Sequence, residues 1–273
     1  MSEESGEIDP VTLMKKYTEE RGDIFPEFHY MAQHRPRTVH YIHRAAGYIL
    51  KNANQDAPDQ ELSLVMRELI ATCILSAKGD ERFAANHVRR LYRLGVTNAV
   101  ILEAAEGMAP VLGHSSISHV AQSILLANDP DYPFGEMPAS GEPSELTPFP
   151  ELELGPKDAA SPPLFDDADW RYAAEIDPEF AERTAMFVDH CLGTVRKEPN
   201  ALPPCARLLV GIAALCMRGE EQIAAEYIRR AYALGANRRK VLEAISCAQN
   251  MTGAVSAQIG LRAMQLADNA LVR

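Results

Sequence analysis

The sequence predicts an all-α chain made of two tandem copies of one helical domain joined by a proline-rich linker. Three observations predict it. Ala and Leu recur at helical spacing, and alternating runs of Val, Ile, Thr and Tyr are scarce. Nine of the 18 prolines fall between Pro130 and Pro163, in an acidic stretch without helical periodicity, as in a linker. Shifted by 140 residues, 61–128 falls on 201–268 without a gap, and 20 of the 68 positions are identical. Self-similarity at one fixed offset reports a shared fold rather than shared composition. The boundaries that follow are a first domain over 1–128, a linker over 129–168 and a second domain over 169–273.

Helices are predicted over 11–21, 27–34, 37–52, 61–78, 81–94, 97–109 and 114–127. Pro36 closes the second, and Asp80, after Gly79, is placed to cap the fifth. Gly95 stands just past the end of the fifth, where a left-handed residue is needed, and Thr97 caps the sixth. The linker is expected to be extended and wrapped over a surface. The second half is expected to hold helices over 178–197, 202–218, 221–234, 237–251 and 254–269. Gly79/Gly219, Gly95/Gly235 and Gly113/Gly253 keep the helix ends in register, as do Arg67/Arg207, Arg89/Arg229, Arg90/Arg230 and Glu103/Glu243.

The repeat also acts as an internal control. A residue kept in both copies is expected to be scaffold, whereas a polar residue at a core-facing position of one copy needs another reason. Glu68, His87, His114 and His119 are matched by Leu208, Tyr227, Ala254 and Ile259. The first copy is therefore read as the active one and the second as structural. Asp189, His190, Glu226 and Tyr227 leave room for a separate site in the second.

Composition removes several classes of function. A net charge of −11 repels a phosphate backbone, so no nucleic-acid partner is expected. The opening MSEESGEIDP is acidic and polar, unlike a secretory leader. No run of about 18 apolar residues occurs, so no membrane span is predicted. The five cysteines form no CxxC pair, and their odd number argues against a disulfide framework. The expected location is the cytoplasm.

Arg67-Glu68-Leu69 opens an Ala/Leu-rich helix. His87-Val88-Arg89-Arg90 then leads to Gly95 and Thr97, and Leu102-Glu103-Ala104 follows. This order resembles the carboxymuconolactone decarboxylase family, which shares its all-helical fold with the alkylhydroperoxidase D-like proteins. The resemblance covers about 37–127 well and 178–268 in outline. Members of the alkylhydroperoxidase D-like branch use a Glu, a CxxC pair and a His. Glu68 and His87 match the first and last, but the two cysteine positions hold Asp80 and Phe83. Neither forms a thiolate, which excludes dithiol peroxidase chemistry there. What remains resembles the decarboxylase branch, and the resemblance implies no metal or organic cofactor. It also implies a small carboxylated cyclic substrate such as a muconolactone-type lactone, and homo-oligomers.

Loss of carbon dioxide from a lactone acid leaves a carbanion that needs an oxyanion partner and a proton. His87 suits proton delivery, and Glu68 behind it can fix its tautomer. His114, at a helix start beside Ser115 and Ser116, is placed to contact an oxyanion or carboxylate. Thr72, one turn after Glu68, together with His119, His40 and His43, completes the substrate-binding set. His40, His43, Glu68, His87 and His114 hold enough donors for zinc or iron. Their spacing does not demand a metal, and none is assigned. Two other readings stand beside the lyase or isomerase: a non-catalytic binding or assembly protein, and a metal-dependent enzyme.

Overall fold

Alanine and leucine at helical spacing fold into helices throughout the described residues. The computed structural model describes residues 8–21, 25–50, 60–135, 141–155, 168–193 and 201–271. Three helices come first: α1 (Pro10–Arg21), α2 (Pro26–His34) and α3 (Pro36–Leu50). A quartet follows, α4 (Leu64–Ala77), α5 (Glu81–Arg93), α6 (Asn98–Leu112) and α7 (Ser115–Ala127). After the proline-rich stretch come α8 (Ala168–Ile176) and α9 (Pro178–Cys191). A second quartet ends the chain: α10 (Pro204–Arg218), α11 (Glu221–Ala233), α12 (Arg238–Thr252) and α13 (Ala254–Leu271). The quartets keep the 140-residue offset at nearly every helix end.

The predicted helices are present with shifted ends. α4 begins at Leu64 because the Ser63 hydroxyl caps it, accepting from the Met66 amide at 3.1 Å. α6 runs through Pro110 to Leu112 and stops at Gly113, whose φ of +84° suits only glycine without strain. Asp80 occupies the N-cap position of α5, yet its side chain makes no capping bond. The expected extensions over 51–52 and 194–197 lie outside the described residues. α8 was not predicted and falls across the expected boundary at 168/169.

The described part of the linker is folded against the helices. Thr147 donates its amide to the Gly95 carbonyl at 2.8 Å. Pro150–Glu153 forms a short 3₁₀ turn that drives Glu151 fully inside. There its carboxylate accepts from the Ser63 amide at 2.9 Å and from the Ser63 hydroxyl at 2.5 Å. An anion at a helix N-terminus is favoured by the free amides of the first turn.

The two quartets share one hydrophobic core, with α6 packed on α10 and α4 on α12. Their contacts are reciprocal. Glu103 accepts from the amides of Ala201 (3.1 Å) and Leu202 (2.6 Å) and pairs with Arg207 at 3.2 Å. Glu243 accepts from the amides of Glu61 (3.2 Å) and Leu62 (2.8 Å) and pairs with Arg67 at 3.4 Å. A smaller cluster of Leu13, Met14, Tyr17, Ala32 and Val39 joins α1, α2 and α3 beside the main core.

Candidate active site

α4 is apolar on nearly every side and buried along most of its length, so its carboxylate, Glu68, has no solvent exposure. Burying a charge is costly unless it is paired. α5 supplies both partners from one face, three residues apart. His87 Nδ1 lies 2.6 Å from Glu68 Oε2, and Arg90 Nη1 lies 2.9 Å from Oε1. With Nδ1 committed to the carboxylate, the imidazole is fixed in orientation and tautomer, and Nε2 is left to face outward.

His87 forms part of the wall of a cavity of about 250 Å³. Phe25, Phe28 and Phe83 make one side of it, and Val39, Ile42, Leu50 and Leu75 contribute aliphatic surface. Phe25 and Phe83 pack at 4.3 Å between ring centroids. The polar lining is His43, Asp80, Asn86, His87 and Asn250; among the described residues that line it there is no lysine or arginine. Asn250 and Met251 come from the end of α12, so the second quartet closes a cavity built mainly by the first half.

His43 belongs to α3. Its Nε2 lies 3.0 Å from Glu20 Oε2 of α1, and its ring stacks on Tyr17 at 3.7 Å. The cavity therefore receives two imidazoles, each with a carboxylate behind it.

The structure brings Glu68, His87 and His43 together and leaves the other predicted site residues elsewhere. His114 is exposed at the N-cap of α7 and makes no capping bond. Thr72 is buried, and its hydroxyl donates to the Glu68 carbonyl one turn back, at 2.8 Å. His119 is drawn to Glu81, with Nδ1 2.6 Å from Oε1. His40 is edge-on to Tyr41. Residues three apart on a helix differ by about 60° in direction, which is enough to put His43 in the cavity wall and His40 outside it. None of these four lines the cavity.

Asp80, Phe83, Asn86, Asn250 and Tyr17 line it without having been predicted as site residues. The signal for two of them was in the sequence: Asp80 and Phe83 occupy the positions where the resemblance places cysteines. Both positions lie in the wall of the cavity. Asn250 could not be found that way, because it reaches the cavity from 170 residues downstream through the packing of α12.

All five cysteines are free and buried. Burial pushes the thiol of Cys205 up to about 11 and those of Cys191 and Cys216 up to about 12. Cys73 and Cys247, fully enclosed, are raised further. Such thiols hold no useful thiolate at neutral pH. Among the described residues no three His, Cys, Asp or Glu side chains gather as a metal site.

No curated protein matches the chain. Residues 44–123, which include Glu68, His87 and the first quartet up to Ser123 in α7, match the model of the carboxymuconolactone decarboxylase family. The match supports an activity of the carboxymuconolactone decarboxylase or alkylhydroperoxidase D-like kind at the level of the family. Through this all-helical segment the chain is similar to the carboxymuconolactone decarboxylase family.

Proposed function

We propose that the protein is a cofactor-independent lyase or isomerase acting on a small cyclic compound, with His87 as its acid/base group. The observation that carries this is the Glu68–His87 couple at 2.6 Å, set in the wall of a largely apolar cavity. Nε2 of a neutral His87 takes a proton from carbon, or returns one to it. Glu68 then faces the imidazolium that forms, and Arg90 holds the carboxylate from the other side. In a dry cavity these charges act at low dielectric, so a fixed arrangement favours the charged state along the reaction. The phenylalanines hold the ring of the substrate, and Asn86 and Asn250 offer amide donors to its oxygen atoms.

The test is turnover of a panel of lactones and cyclic ketones by the wild type and by His87→Ala and His87→Gln. Both variants are expected to fold, with turnover reduced by about a hundredfold or more. A folded His87→Ala protein with full turnover would sink the assignment.

A further inference from the structure

The Glu68–His87 couple uses only part of the polar wall. α3 adds His43, whose Nε2 lies 3.0 Å from Glu20 and whose ring rests on Tyr17. We infer that the cavity takes an uncharged cyclic carbonyl compound and moves a proton from one of its carbons to another, with His43 as the second acid/base group. This rests on the reading of His87 given above and chooses within it between carbon dioxide loss and isomerisation.

Charge makes the first argument. Decarboxylation requires a carboxylate inside the cavity. The described lining has no lysine or arginine to receive one, and it holds an acid, Asp80. The Arg90 guanidinium is engaged behind His87 with Glu68 at 2.9 Å, and that of Arg82 is stacked over Phe25, 5.3 Å from its ring centroid. Moving a carboxylate from water into such a wall is costly. A neutral carbonyl asks only for hydrogen-bond donors, and the Asn86 and Asn250 amides are donors.

The number of acid/base groups makes the second. Protonating a carbanion left by carbon dioxide needs one imidazole. Relocating a proton needs one group to take it and another to give it, and two carboxylate-backed imidazoles from separate helices meet that need. Size agrees with both arguments. An apolar cavity of roughly 150 Å³ holds benzene, so about 250 Å³ holds one ring with a few substituents.

The step balances without a co-reactant. His87 Nε2 removes a proton from the carbon beside the carbonyl. The C–H electron pair forms the enolate double bond, and the carbonyl pair moves onto oxygen. His43, entering as an imidazolium beside Glu20, gives its proton to the far carbon of the conjugated enolate, and the carbonyl re-forms. One C–H bond breaks, one forms, and nothing is oxidised. Proton exchange with water resets both rings.

The test uses the full chain, a β,γ-unsaturated cyclohexenone as the neutral probe and carboxymuconolactone as the charged one. Conversion of the neutral probe to its conjugated isomer is followed by absorbance, with deuterium uptake from heavy water as a second readout. Wild type is expected to isomerise it, and His43→Ala and His87→Ala each to slow it by about a hundredfold or more. His43→Gln replaces His43→Ala if the latter fails to fold. Glu20→Gln, at a positioning residue, is expected to move the pH profile of the isomerisation. Carboxymuconolactone is expected to bind at least about tenfold more weakly, and Asp80→Asn to narrow that gap. The inference is overturned if His43 variants isomerise at the wild-type rate, if the neutral probe is left unchanged, or if carboxymuconolactone loses the carboxylate of its ring carbon as carbon dioxide. When any of these occurs while turnover still depends on His87, the reading of His87 survives alone. When turnover does not depend on His87, both fall.

Discussion

α4 and α5 in the first half, and α10 and α11 in the second, are the same pair of helices with different interiors. Gly79 and Gly219 end the first helix of each pair with φ of +78° and +84°. Glu81–Arg93 and Glu221–Ala233 then have matching bounds. In the first half Glu68, His87 and Arg90 form a buried polar triad against a cavity. At the matched positions Leu208 and Tyr227 are 1% and 2% exposed, and Arg230 turns to Glu226 on its own helix at 3.4 Å. A methyl group at Gly211 would lie 2.8 Å from the Tyr227 ring, so the ring fills space that Ala71 and His87 divide in the first half. The second pair folds with an apolar interior, so the scaffold has no need of the triad. Breaking up buried ions into apolar packing is often neutral or stabilising. The ions at Glu68 are what the proposed proton chemistry calls for.

The largest break of this comparison is to write the second interior into the first. The quadruple variant Glu68→Leu, Ala71→Gly, Asn86→Glu, His87→Tyr makes room for the new ring and gives Arg90 the same carboxylate partner that Arg230 has. It is expected to abolish turnover, by about a hundredfold or more, and to unfold in urea at a midpoint no lower than wild type. A quadruple variant that loses activity only because it unfolds would show that the triad also holds the scaffold together, and the contrast between the halves would lose its meaning.

Much of this contrast could be read before any coordinates. The offset of 140 placed Glu68 and His87 opposite Leu208 and Tyr227, and an all-helical fold followed from composition and periodicity. His114 is where that reasoning misplaced a residue. Its absence from the second half looked like lost chemistry, but an imidazole at a helix start points wherever the local turn sends it, and here that is solvent. His43 and His40 were equal candidates because a shared helix face is coarser than a cavity wall. Glu20 and Asn250 carried no signal, since one approaches through the packing of α1 on α3 and the other through that of α12 on α4. Long-range packing of this kind leaves no mark in local spacing.

A smaller effect tests the part of the comparison in which the halves agree. Glu103 and Glu243 are 9% and 8% exposed, and each holds two backbone amides and an arginine of the opposite half. Glu103→Gln and Glu243→Gln keep an acceptor oxygen but remove the charge from these bonds. Each is expected to destabilise the protein by about 1–3 kcal/mol in denaturant unfolding. The two losses should be alike in size, because the contacts are reciprocal. A large inequality would mean that the halves are not equivalent as scaffold either.

The smallest effect separates scaffold from site at a single matched pair. Lys78 Nζ donates to the Met251 carbonyl at 2.5 Å, and Arg218 Nη1 donates to the Val111 carbonyl at 2.7 Å. These are the same contact made twice, across opposite sides of the shared core, by exposed cations. Exposed contacts of this type contribute little, so Lys78→Ala and Arg218→Ala should each leave stability within about 0.5 kcal/mol of wild type. Their consequences for function should still differ. Met251 and Asn250 line the cavity, whereas Val111 does not. Releasing Lys78 loosens the end of α12 at the cavity wall, and a severalfold rise in KM with little change in kcat is expected. Releasing Arg218 loosens the end of α6, away from the cavity, and should change neither. Equal kinetic effects from the two variants would place the functional cavity somewhere other than the wall shared by α5, α3 and α12.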